Sequence, residues 1–325
     1  MNQAAQNYIK STRLNNILDL QRIARGVNMD ITQLDAGSFE SDVSQLKVRN
    51  VLASLITSNQ RLRLQGAVNF LTVSFMSHTS QSPTWHGISS SSNDVLAANA
   101  AETFDLVVPP GVMAYCISVV GDAEVMLRNL GGPVLAEKLR NTVQPIACES
   151  DALRGIEAWL AEQFDGFGRN SEIRSGQALE LEQAFIRRLA ACIRANQASP
   201  SSESQPTSGR LVAARRVEQH LLDHPAIPQT IDDLCRVAGT SRRTLEYAFR
   251  DYFGTSPKRF TKVLRLNAAR NDLLRGDVRS AKVVEIASGW GFTHMGQFSS
   301  DYRNMFGEKP SQTLRRSIPH AYVGA

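Results

Sequence analysis

The sequence predicts an α+β fold in two parts, a β-rich front and an all-helical back, and three observations carry that prediction. Short apolar runs separated by turn residues fill the stretch from about Leu34 to Val120. Helical spacing of apolar residues takes over from about residue 150. A pattern of about fifty residues is then written twice inside a basic C-terminal block. A length of 325 residues fits two domains of ordinary size, and 42% hydrophobic with 21% charged residues matches folded soluble chains. That composition argues against disordered, collagen-like and membrane classes. The amino terminus lacks an apolar run behind a basic start, and no stretch approaches the roughly 18 apolar residues of a membrane span. A cytoplasmic location with no membrane partner is expected.

The front elements follow in order. Residues 50–56, 67–75, 94–97, 104–108 and 115–120 read as strands, and Pro109, Pro110 and Gly111 end the fourth because proline has no ladder donor. Such spacing suggests a β-barrel or sandwich. Two amphipathic helices come next. Leu153, Ile156, Leu160 and Phe164 mark the first, and Leu179, Glu182, Phe185 or Ile186, Leu189 and Cys192 or Ile193 mark the second. They either cover an open face of the β-structure or form a dimer interface.

Residues 196–209 contain no large apolar side chain and are rich in Ser, Pro and Gln, so burial cannot offset their ordering entropy. This is the expected linker. It separates residues 1–195, an expected effector-binding or dimerisation domain, from residues 210–325. The formal charge changes sign there: 210–325 carries 19 basic and 11 acidic residues, net +8, while the remainder is −3. A basic block on a slightly acidic body suits a chain of which one end approaches phosphates.

Within that block, Ile231, Leu234, Cys235 and Ala238 share a helix face, with Thr230 and Asp233 at capping-box spacing. Gly239 and Thr240 turn the chain, Ser241 caps a second helix, and Leu245, Phe249 and Phe253 face inward. Gly254 and Pro257 end it. The second copy runs from Val283 through the turn at Gly291 to a helix in which Phe298, Tyr302 and Phe306 face inward, and Gly307 and Pro310 stop it. The offset is 52 residues from Gly239 to Gly291 and 53 from Phe249 to Tyr302. Between the copies, Pro257–Leu274 predicts a helix of about 27 Å. Adjacent major-groove faces of B-DNA lie about 34 Å apart, so a connector of this length could place two helices in successive turns.

On these residues the sequence resembles the AraC/XylS family of transcription regulators across about 210–318. The carrying stretches are Ser241–Leu245, Phe253–Pro257, Leu264–Leu266 with Ala269 and Arg270, Ile286 with Ala287, Gly291 with Phe292, and Phe306–Arg315. Trp290–Phe298, with Leu34–Phe39 and Trp85–Gly87, looks most like the subgroup containing the ethanolamine-utilisation regulator. The resemblance implies a cupin-like front domain, two helix-turn-helix units and double-stranded promoter DNA as partner. It also implies a homodimer, a possible small-molecule effector, and contact with RNA polymerase if the output is activation.

If the aromatic residues face inward, Arg242, Arg243, Glu246 and Tyr247 project from the first reading helix and His294, Gly296, Gln297 and Ser300 from the second. Arg243 suits bidentate contact to guanine, Gln297 to adenine, and Glu246 could accept from cytosine. The family's usual basic residue after Phe-Ser is Ser300 here. Thr230, Ser241, Lys258, Arg259, Lys262, Arg279, Lys282, Thr293 and Lys309 are the candidate phosphate contacts.

Catalysis is not expected. Cys116, Cys148, Cys192 and Cys235 are scattered without a C-x-x-C pair, and only His78 and His86 occur in the front domain, so neither a zinc site nor a catalytic metal is legible. No nucleotide-binding loop or nucleophile elbow occurs, and no cofactor is expected. A DNA-repair methyl acceptor with a similar tail would need a reactive thiol in an electropositive setting, yet Cys116 sits inside an apolar run and Cys148 lacks basic neighbours. Phe70, Phe75, Trp85 and Tyr115 are the expected lining of an effector pocket, or else plain core.

Overall fold

A computed structural model describes residues 7–24, 27–77, 81–120, 125, 129, 139, 144–166, 172–194 and 209–316. The chain divides into two compact units. Met1–Ile31 and Glu40–Ser204 form the first, and Thr32–Phe39 joins Gln205–Ala325 in the second. Of the expected linker, residues 196–208 lie outside the described residues, as does His78, and Gly209 opens a helix.

The first unit carries strands β1 (Tyr8–Leu14), β2 (Val27–Gln33), β3 (Ser41–Val48), β4 (Val51–Ser58), β5 (Leu62–Val68), β6 (Leu71–Met76), β7 (Thr84–Trp85), β8 (Ile88–Ser89), β9 (Asp94–Ala98), β10 (Thr103–Val108), β11 (Met113–Val119) and β12 (Ile146–Ala147). Its helices whose bounds fall within the described residues are α1 (Ile17–Ile23), α2 (Ser150–Gly166) and α3 (Ser175–Arg194). The strands form two sheets, β1-β3-β4-β11-β6-β9-β12 and β2-β5-β10-β7-β8. Neither sheet closes on itself, so the β-structure is open rather than a closed barrel. The run 67–75, expected as one strand, breaks at Asn69 and Phe70, and the chain crosses from the smaller sheet to the larger.

Side-chain alternation explains the layering. Val51, Ala53, Val73, Phe75, Val95, Ala97, Tyr115 and Ile117 of the larger sheet join Leu153, Ile156, Leu160, Phe185, Leu189 and Ile193 of α2 and α3 in one apolar cluster. The opposite face sends Met76, Leu96, Ala98 and Ala114 into a second cluster with Val68, Trp85, Phe104, Leu106 and Val108 of the smaller sheet and its flanks. Helices therefore cover one face of the larger sheet. Leu179, expected inward, is 41% exposed, and Leu181 packs in its place. Glu182 does face inward, because its carboxylate accepts from Arg49 Nε at 2.9 Å and the Asn50 amide at 3.0 Å. Gly66 has no substitute, since a Cβ there would overlap the Asn28 carbonyl of β2.

The second unit holds α4 (Gly209–Asp223), α5 (Ile231–Ala238), α6 (Arg242–Phe253), α7 (Pro257–Arg275), α8 (Val283–Gly289), α9 (Met295–Phe306) and α10 (Pro310–Arg315). Phe249 and Phe253 of α6 meet Phe260 of α7 at 5.2 and 4.2 Å between ring centres. Phe298, Tyr302 and Phe306 meet in sequence along α9, the first two rings tilted and the last two edge-on, and Tyr302 Oη donates to Thr313 Oγ1 of α10 at 2.7 Å. Residues 32–39 are built into this unit. Asn267 of α7 accepts from the Gln33 amide at 3.0 Å and donates to the Gln33 carbonyl at 2.9 Å, and the Gly37 amide donates to the Met305 carbonyl at 3.0 Å.

Candidate nucleic-acid interface

The two helix pairs of the second unit, α5–α6 and α8–α9, repeat one set of glycine turns and stops. Thr230 and Asp233 complete the expected capping box of α5, and the hydroxyl and backbone of Thr230, with Arg236 beside them, hold the Asp233 carboxyl down at about 2. Gly239 ends α5 at φ 66°, Ser241 caps α6 through the Thr244 amide, and Gly254 ends α6 at φ 67°. In the second pair Gly291 turns at φ 78° and Gly307 closes α9 at φ 74°, but Lys282 and His294 start their helices without a side-chain cap. The second pair is thus held less by local caps and more by packing.

Those stops fix which side chains remain outside. On α6, Leu245, Ala248, Phe249 and Phe253 are buried, which leaves Arg242, Arg243 and Tyr247 exposed with Glu246 half-buried. Arg242 pairs with Glu246 at 3.2 Å, and the guanidinium groups of Arg243 and Arg210 both lie over the Tyr247 ring, at 5.6 and 5.4 Å. An open surface pocket of about 420 Å³ is lined by Arg242, Arg243, Glu246, Tyr247 and Arg250. The structure thus brings the four expected α6 residues together. Arg210 and Arg250 join them unanticipated, Arg250 by lying two turns along from Arg243 on the same helix face.

On α9, burial of Phe298, Tyr302, Met305 and Phe306 leaves Gly296, Gln297 and Ser300 exposed beside the exposed His294. Gln297 Nε2 donates to Asp301 Oδ1 at 2.9 Å, and Asp301 Oδ2 pairs with Lys262 Nζ of α7 at 2.6 Å. Sequence reading missed Asp301, whose two partners come from two helices. Among the phosphate candidates, Lys258, Arg259, Arg279, Thr293 and Lys309 are exposed. Lys262 is engaged by Asp301 and Lys282 by Glu285 at 2.7 Å, while the Thr230 and Ser241 hydroxyls serve their helix caps.

The four aromatic residues expected to line one effector pocket do not share a cavity wall. Phe75 and Tyr115 stack at 5.0 Å on the helix-covered face of the larger sheet, Trp85 packs on Phe104 in the other cluster, and Phe70 sits in the turn between β5 and β6. Strand alternation turns Phe75 and Tyr115 toward the helices, whereas Trp85 lies on the smaller sheet. Burial pushes the Cys116 thiol up and that of Cys192 to about 11, the reverse of what an attacking thiolate needs.

The turn glycines differ in surroundings, and that difference is measurable. A Cβ on Gly239 would meet only Arg216 Nη1 at 3.9 Å, whereas on Gly291 it would lie 3.1 to 3.3 Å from the backbone of Ala226 and Pro225. Gly239→Ala is expected to cost about 1 kcal/mol, the strain of a left-handed alanine. Gly291→Ala should cost roughly 2–3 kcal/mol, because rigid backbone must also move. Thermal melts of the two variants check this, and equal losses would contradict it.

Residues 234–316 match the family described as a helix-turn-helix domain. A probable thc operon regulatory protein of Rhodococcus erythropolis is 42% identical over 101 residues, and XylDLEGF operon transcriptional activator 3 of Pseudomonas putida is 36% identical over 101 residues. Each match takes in 31% of this chain and 30% of the relative, so the chain spans under a third of those proteins' length. A solved structure of a probable AraC family transcriptional regulator from Rhodopseudomonas palustris is 41% identical, covering 33% of this chain and 98% of that one, with a TM-score of 0.30. By these sequence matches, residues 234–316 form a helix-turn-helix DNA-binding domain of the AraC type, the kind carried by AraC/XylS operon regulators.

Proposed function

We propose that the chain is a sequence-specific transcription regulator that reads two adjacent major grooves of promoter DNA, α6 entering one and α9 the next. The observation that carries this reading is the repeated punctuation with opposed faces: aromatic residues buried behind, polar readers exposed in front, on both helices. Arg242, Arg243, Glu246 and Tyr247 read bases from α6, and His294, Gly296, Gln297 and Ser300 from α9. Exposed Lys258, Arg259, Arg279 and Lys309 neutralise phosphates. The protein acts in the cytoplasm as a homodimer, and as an activator it contacts RNA polymerase. The wording of Trp290–Phe298 supports the subgroup of the ethanolamine-utilisation regulator, with a cupin-like front unit that responds to a small molecule.

Titration of the full chain against DNA duplexes recovered by genome-wide footprinting tests the proposal. Affinity should fall with salt at a log-log slope near −0.9 per phosphate neutralised, and the Lys258→Ala/Arg259→Ala double variant should lower that slope by about 1.8 while weakening all sequences alike. Arg243→Ala should instead lose about 1–3 kcal/mol of discrimination at one base pair. Binding without salt dependence would overturn the reading.

The separation of Phe75 and Tyr115 from Trp85 favours a second reading of the front unit, in which it only dimerises or receives another protein. Melting of the full chain with small amines separates the two, since a ligand of the folded state raises the melting temperature.

A further inference from the structure

Gln297 is the reading side chain of α9 whose amide has a fixed partner. Asp301 lies one helical turn onward and accepts from Gln297 Nε2 at 2.9 Å. Its side chain is 12% exposed, and its carboxylate is held from the other side by Lys262 Nζ at 2.6 Å, across from α7. An ionised carboxylate only accepts hydrogen bonds, so it can meet the nitrogen of the glutamine amide and never its oxygen. The amide of Gln297 is therefore pinned in one of its two flips. One N–H is spent on Asp301, and the second N–H and Oε1 remain for a base edge.

Adenine offers an acceptor at N7 and a donor at N6, the complement of that remaining pair, whereas thymine offers an acceptor at O4 where adenine has its donor, and only the opposite flip could meet it. We propose that Asp301, braced by Lys262, is a positioning residue that sets the polarity of the Gln297 amide and so makes the second reader selective for adenine over thymine. This rests on the reading of Gln297 as a base contact. Lys262 on this account does not serve the phosphate backbone: its charge is taken up by Asp301, and it fixes the carboxylate's position relative to α9.

The test uses the full-length protein and duplexes selected by it from a random-sequence pool, with each base pair of the selected site then varied. Gln297→Ala should erase the preference for adenine at one position. Asp301→Asn replaces a pure acceptor with a group that can accept or donate, so either flip becomes satisfied, and the adenine-to-thymine ratio at that same position should fall about tenfold. Lys262→Met should lower the same ratio while leaving the salt slope unchanged, whereas a phosphate contact would lower the slope by about 0.9. If Gln297→Ala removes the preference and Asp301→Asn does not, the positioning role is overturned and the reading of Gln297 stands. A uniform loss at every position in Asp301→Asn marks a purely structural residue and overturns the role as well. If Gln297→Ala changes no position, the base contact itself is wrong, and the proposal falls with it.

Discussion

Alanine in place of Phe249 is expected to destabilise the helical unit by about 3–5 kcal/mol, the range for emptying a fully buried phenylalanine site. Phe249 has no exposed surface and packs on both Phe253 and Phe260, so its ring joins α6 to α7. Loss of the ring leaves a cavity between α6 and the helix that connects the two pairs. The seat of α6 loosens, and DNA affinity falls at all sequences together. Tyr247→Ala supplies the contrast: this ring is exposed, and its loss should change stability by less than about 1 kcal/mol while altering base preference. Urea unfolding with parallel DNA titration separates the effects. A Phe249→Ala cost under about 1 kcal/mol would mean that α6 is not anchored through this ring.

Asn267→Ala should cost about 2–4 kcal/mol although it removes only a small polar group. Its side chain accepts from the Gln33 amide and donates to the carbonyls of Gln33 and Val263, all in a buried setting. Truncation leaves the Gln33 amide and carbonyl buried without these partners, and an unmade buried hydrogen bond costs about 1–3 kcal/mol. Asn267→Asp gives no rescue, because a carboxylate cannot donate to the Gln33 carbonyl. The loss should appear in urea unfolding, accompanied by faster hydrogen exchange across residues 32–39. Unchanged exchange there would show that Asn267 does not hold the segment.

Local signals were legible ahead of the structure. The caps at Thr230 and Ser241, the left-handed glycines at 239 and 254 and the inward aromatic rows of α6 and α9 depend on neighbours within a turn or two, and periodicity reports such neighbours directly. Strands β9, β10 and β11 were equally plain, being bounded by turn residues and by Pro109, Pro110 and Gly111. Other features had no local signature. Nothing near Asn69 says that the chain changes sheet there, nor does helix spacing tell Leu181 from Leu179 as the residue that packs inward.

By itself, then, the order of residues determined that there is a duplicated helix pair with glycine stops in a basic block, and which edge of each second helix faces outward. Only the tertiary structure decided that residues 32–39 belong to the helical unit, that Glu182 is a buried partner of Arg49, and that Lys262 faces Asp301 instead of remaining an unpaired surface charge. The physical reason is range. Caps and periodicity are satisfied within a few residues, whereas a buried polar group takes whichever partner folding brings within about 3 Å, and that partner can lie anywhere in the chain.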